Sequence, residues 1–350
     1  MSTIHEFPKN YERFIAKGEE ALVEHNQIAA LENFQQAYQL QQTPPVNQKI
    51  VQLLLEMDEA DEALALAEAF QDSYFENLET AAIYMQIYSQ SRRFIEGYIL
   101  LKQLLQTNKI TLAQQKTLEQ QLMQVEEAYR QLETQQIQAI KRNLLVSDQL
   151  PVYQQLANIK TSLYLPKPVF VEVAKDLVMN QALSYFAREW FIEELALLQF
   201  SEPLTFLWYD NQPQTVLLEG KTGPLNTPIY SEICTELRNR LENDDPIMLQ
   251  HLEEEIRLHL AYLYPLAETV ISDPTIWVLG YLATYYPEYI EKELTEAKGH
   301  QIAAVQKVQQ PIRTAFTPLM LSTMARPTNE DVPFFRFQKC AESALIAFLD

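Results

Sequence analysis

The sequence predicts an all-α chain: an α-solenoid of paired helices, then a second helical domain carrying one β-hairpin. Three observations carry that expectation. Glycine is scarce, six residues in 350, which leaves little material for β-turns or phosphate loops and favours helices. Small residues recur in phase: Gly18 and Ala30 come first, then Ala63 and Gly97 at successive intervals of 33 and 34 residues. Elsewhere, apart from residues 204–219, apolar side chains recur at helical spacing between proline and asparagine breaks.

Residues 1–10 read as a short leader, with Pro8 placed before the first helix. From Phe14 to Tyr38 the chain reads as two helices joined by a turn at Glu24–Gln27. Gly18 on the first and Ala30 on the second are small enough for the two axes to approach, and Phe34 and Ala37 extend the inward stripe. Thr43-Pro44-Pro45 ends that pair. The second pair runs from about 46 to 70, with Ile50, Val51 and Leu54 inward on one helix and Ala63, Ala67 and Phe70 on the other. The third spans about 78–106: Ala81, Met85 and Tyr88, then Phe94 at the turn, then Gly97, Leu101 and Leu104. A single pair cannot bury its apolar face, and about three are needed before stacking becomes stable.

Residues 107–147 follow as a capping or linker element. Leu112–Leu145 is one Gln- and Glu-rich helical pattern without Gly or Pro, with Leu118, Leu122, Val125, Tyr129 and Leu132 at helical spacing. It closes the stack, or alternatively forms a dimer seam, although its apolar spacing is not a sustained heptad. Composition changes at Ser147–Pro151, and residues 148–350 read as the second domain. Helices are expected over Val152–Leu163, Val169–Met179, Ala182–Leu198, Tyr230–Leu241, Pro246–Leu263, Pro274–Tyr285 and Pro287–Lys298. Gln301–Gln310 would extend the last of these, and Phe334–Phe348 would close the chain after a loop at Arg326–Asp331. Leu204–Glu219 holds two β-rich runs around Asp210–Pro213, a hairpin that needs one face covered by helices.

The combination of Phe14, Gly18, Ala30, Phe34 and Ala37, repeated in phase by Ala63 and Gly97, resembles the tetratricopeptide repeat (TPR) family over residues 11–106. The second and third repeats depart from it, with Val51 and Met85 where a small residue is usual. The whole chain looks like the two-part cytoplasmic TPR proteins of bacteria, a group with no assigned activity. The resemblance implies a protein- or peptide-binding scaffold whose first helices line a concave groove. Outward residues there would be Glu12, Ile15, Glu19 and Leu22 from the first pair, Gln48, Gln52 and Leu55 from the second, and Ala82, Gln86 and Ser89 from the third. Glu19, Gln52 and Gln86 repeat at 33 and 34 residues, which places them in one row. Family members that grip a peptide carboxylate use Lys, Arg and Asn on this face; these positions hold none, which disfavours such a clamp. A polar or basic peptide is the expected occupant, held by the side-chain amides and the Glu12 and Glu19 charge, with apolar contact from Ile15, Leu22 and Leu55. Two other readings stay open: a peptide-sensing regulator, and a homo-oligomeric assembly factor using the 112–145 helix.

Other classes are disfavoured. A net charge of −20 repels polyanions, so nucleic acid is not an expected partner. The start, MSTIHEFPKNYERF, has no apolar run behind a basic end, and no run reaches the length of a membrane span, so a cytoplasmic location is expected. Cys234 and Cys340 are isolated, as in a reduced compartment. Gly220-Lys221-Thr222 lacks the upstream glycine of a phosphate loop, with Thr215 in that place and Pro224 interrupting the helix that should follow. His251, Glu255 and His259 share one helix face, yet the two histidines lie about 12 Å apart along it. A solvated acidic face explains them better than a metal site. No nucleophile elbow, His-Glu-x-x-His helix or dinucleotide glycine run occurs. Neither catalysis nor a cofactor is expected, and the oligomeric state stays open.

Overall fold

The computed structural model describes residues 7–290 and 295–324 and, within them, the side chains of residues 10–316 other than 153 and 289. The expected helix Phe334–Phe348, the loop Arg326–Asp331 and Cys340 lie outside the described residues. Most of what is described is helical, with one two-stranded sheet. The chain divides into two units, residues 1–140 with 163–170, and residues 141–162 with 171–350.

In the first unit, helix α1 (Phe7–Val23) packs on α2 (Gln27–Leu40), and α3 (Pro44–Glu56) packs on α2 and on α4 (Ala60–Glu68). A single turn, α5 (Gln71–Tyr74), leads to α6 (Leu78–Gln90), which contacts α3, α4 and α7 (Phe94–Gln106). Then α8 (Leu112–Leu132) covers α6 and α7. All four small crossing residues are buried. A Cβ at Gly18 would stand 2.6 Å from the Phe34 ring, so only glycine lets that ring reach the α1 backbone. At Gly97 the nearest neighbour is a Leu122 methyl, 3.1 Å from where a Cβ would be.

The turns within the three pairs are built alike. His25, Asp58 and Arg92 are left-handed, with φ of 58°, 63° and 62°. The amide after each reaches back to close the helix: Asn26 N–H to Ala21 O at 2.8 Å, Glu59 N–H to Leu54 O at 2.9 Å, and Arg93 N–H to Tyr88 O at 2.8 Å. This is the six-to-one bond of a Schellman cap. Glycine normally takes the left-handed place; here histidine, aspartate and arginine do, at the same 33- and 34-residue period as the small residues.

Several details differ from expectation. Helix α1 starts at Phe7, so residues 7–10 of the expected leader are helical, and Pro8 is tolerated because a first-turn residue needs no N–H partner. The expected helix over 112–145 is broken at Glu133, where the Thr134 hydroxyl bonds back to the carbonyls of Arg130 and Gln131; α9 (Thr134–Leu145) follows. Leu118, Leu122 and Tyr129 are buried, but Val125 and Leu132 are exposed, so the stripe is narrower than expected. Asn47, fully buried on α3, accepts from the Tyr74 hydroxyl at 2.7 Å and donates to Leu66 O at 2.8 Å, tying α5 to the second pair.

The second unit contains α10 (Val152–Ile159) and α12 (Tyr185–Leu197), joined by residues that include α11 (Lys167–Leu177), whose first turn belongs to the first unit. Strands β1 (Leu204–Leu207) and β2 (Pro213–Val216) pair antiparallel, with Leu204 opposite Val216. Leu204, Phe206 and Trp208 are buried while Thr205 and Thr215 join hydroxyls on the open face, so the hairpin has the one covered face it needs. Helices α13 (Pro228–Leu241), α14 (Pro246–Leu263), α15 (Ala267–Val270), α16 (Pro274–Tyr285) and α17 (Glu296–Met324) complete it. Thr227, Asp245 and Asp273 cap α13, α14 and α16 immediately before a first-turn proline. Of the expected helix over 287–298, Pro287–Tyr289 form a 3-10 turn, residues 291–294 lie outside the described residues, and residues 296–298 belong to α17. Thr295 accepts from Lys298 N–H, and α17 starts there and runs on through Gly299.

Candidate functional site

The face formed by α1, α3 and α6 is where the sequence places the groove. Glu19, Gln52 and Gln86 each stand six residues before the left-handed residue of their turn, and all three are exposed. The three side chains therefore occupy equivalent positions on equivalent helices. Glu12 is exposed as well, and Ile15, Leu22, Gln48, Ala82 and Ser89 are half-buried. Glu12, Gln48, Gln52 and Gln86 make no side-chain hydrogen bond or ion pair with another described residue.

Two features of the expected groove need correction. Leu55 is 2% exposed and offers no contact surface. Leu53, Leu54 and Leu55 are all buried because α3 is covered by α2, α4 and α6, leaving only a narrow outward strip. The face also carries a cation. Lys49, half-buried on α3, reaches back to the Glu19 carboxylate, and its Nζ lies 5.5 Å from the centre of the Phe34 ring. Nearby, the Gln27 amide donates to Glu56 at 2.7 Å, a second link from the first pair to α3. These residues can hold hydrogen-bonding and charged groups of a chain laid across the helices.

The other motifs are structural. Gly220 is left-handed (φ 79°) and takes the Gln199 side chain on its N–H, while the Thr222 hydroxyl bonds to Asn226 O, so this stretch is a loop tied to α12's end. The expected solvated face is not what His259 occupies: it is buried, with Nδ1 2.6 Å from the Tyr281 hydroxyl and Nε2 3.5 Å from Glu255, and Glu255 in turn accepts from Arg313 at 2.7 Å and Tyr285 at 2.9 Å. Burial, helped by Arg313, pushes the His259 pKa down to about 3, so the ring is neutral at pH 7. With both ring nitrogens facing protein groups it has no place for a ligand, and no group of three or more His, Cys, Asp or Glu among the described residues can hold a metal ion.

Sequence reasoning passed over the buried charges of α12. Arg188 donates to Leu207 O at 2.9 Å and to the Asn211 side chain at 2.7 Å, locking the hairpin tip. Glu189, 1% exposed, has neither oxygen hydrogen-bonded to a described residue; burial raises its pKa strongly, and Glu193 and Glu194 add to the effect. A helix written Tyr-Phe-Ala-Arg-Glu-Trp-Phe gives one signal for this: charged residues set inside an aromatic run. A shallow groove of about 490 Å³ also lies between Asn143, Val146 and Leu150 and the α10 residues Gln154, Ala157 and Asn158. Among the described residues no helix is long and apolar enough to cross a membrane. The chain matches no protein-family model, and no curated protein or solved structure matches it.

Proposed function

We propose that the first unit is a TPR-like solenoid and that the protein is a non-enzymatic, cytoplasmic scaffold. On this reading it holds a polar or basic peptide segment of a partner protein along α1, α3 and α6. One observation carries the reading: Glu19, Gln52 and Gln86 stand at the same position relative to three identical left-handed caps, exposed, on three successive first helices. A row of groups with a fixed repeat suits an extended chain, whose own groups also recur at fixed steps. Glu12 and the two amides supply charge and hydrogen bonds, and the half-buried Ile15 and Leu22 supply apolar contact.

The test replaces Glu19, Gln52 and Gln86 together by Lys in the full chain and compares the proteins each form captures from lysate by mass spectrometry. All three are exposed, so the fold should persist, which circular dichroism checks. Loss of specific partners is the expected result. An unchanged set of captured proteins would contradict the proposal.

A further inference from the structure

The Glu19–Lys49 contact names the chemistry of the occupant, an inference that rests on the reading of this face as the partner-binding one. Glu19 lies on α1 and Phe34 on α2, while the ammonium placed against both comes from α3. The exposed carboxylate attracts ammonium or guanidinium, and the fully buried Phe34 ring lies behind it. Gly18 lets the Phe34 ring approach the α1 backbone one residue from Glu19. The pair is open to water, with 35% of the Lys49 side chain and 47% of the Glu19 side chain exposed, and an ion pair that exposed exchanges partners at little cost. Among the outward positions of α1, α3 and α6 described above, Lys49 is the one cation; Glu12 on the same side is a further carboxylate.

We propose that Lys49 is an internal stand-in for a basic side chain of the partner. The segment held on this face is basic, and one of its Lys or Arg residues displaces Lys49 from the exposed Glu19 carboxylate. Lys49 thereby acts as a built-in competitor that sets how basic a segment must be to bind.

The experiment uses the full chain and short fluorescein-labelled peptides whose apolar positions are leucine and whose polar positions are all lysine, all arginine, all glutamine or all glutamate. Binding is followed by fluorescence anisotropy for the wild type, Lys49→Gln, Glu19→Gln and Lys109→Gln. Lys109 is exposed on the loop after α7, so its loss changes net charge equally without touching the face. The lysine and arginine peptides should bind most tightly. Lys49→Gln should tighten them about threefold beyond Lys109→Gln, the scale of an exposed ion pair, and Glu19→Gln should weaken them. Preference for the glutamate peptide, or equal effects of Lys49→Gln and Lys109→Gln, would overturn the proposal while leaving a peptide-binding face standing. Binding of no peptide would contradict that face, and with it this inference.

Discussion

The two units differ in how many buried polar atoms they leave without a partner among the described residues. In the first, the core is aliphatic and aromatic, and Asn47 pairs with Tyr74 and Leu66 O, Ser91 with Ile87 O, and Glu126 with the Tyr98 hydroxyl and the Lys167 amide, while the buried Tyr129 hydroxyl has no partner among the described residues. In the second, Arg188 Nε, both Glu189 oxygens, Trp208 Nε1, Glu254 Oε2 and the Tyr264 hydroxyl are buried without a hydrogen-bond partner among the described residues. What the repeats reuse is the cap hydrogen bond after His25, Asp58 and Arg92, and the buried polar pairs are each particular to one helix pair. A non-repeating core meets each polar group separately, and every unpaired one costs stability.

Substitutions can break or sharpen this contrast. The largest effect is expected from Phe34→Ala, which empties a fully buried site at the first crossing; a loss of about 3–5 kcal/mol in urea denaturation would mark a tightly filled core. Next comes Gly280→Ala in the second unit. Its Cβ would stand 2.7 Å from Gln309 Oε1 and 2.8 Å from a Val305 methyl, and Gln309 cannot yield without losing its bond to Trp277 O, so about 1–3 kcal/mol should go.

The third prediction concerns pH. Glu189 has a raised folded-state pKa, so its contribution is present below the ordinary carboxylate range and is lost as pH rises toward that raised value. Glu189→Gln should therefore gain on the wild type with rising pH, by at most about 1.4 kcal/mol per pH unit. His259 works in the other direction. Its folded pKa of about 3 lies below the ordinary 6.5, so its contribution is present above 6.5 and is lost as pH falls from there toward 3. Chemical denaturation at a series of pH values checks both. The smallest effect is a gain: Asp58→Gly relieves an exposed left-handed residue and should add up to about 1 kcal/mol by thermal denaturation.

The same contrast explains what could be read from the sequence. Gly18, Ala30, Phe34, Ala37, Ala63, Ala67, Met85 and Gly97 were legible as core because a helical repeat writes its contacts at a fixed period, and all are buried. Leu55 was misplaced because period alone does not show how many neighbours cover a helix; α3 has three. Lys49 was missed because its side chain crosses to α1, a contact between repeats that spacing within one repeat does not encode. The short α5, with Tyr74 held by Asn47, has no periodic signal at all. In the second unit the hairpin and most helices were legible from proline caps and β-rich runs. The buried Arg188 and Glu189 were not, since a charged residue in a helix ordinarily signals solvent.

The central claim is that partners bind along α1, α3 and α6. Hydrogen–deuterium exchange of the full chain, alone and with a captured partner, tests it most directly. The account predicts slowed exchange in peptides from Phe7–Val23, Pro44–Glu56 and Leu78–Gln90. Protection confined to α12–α17, with those three helices unchanged, would contradict it.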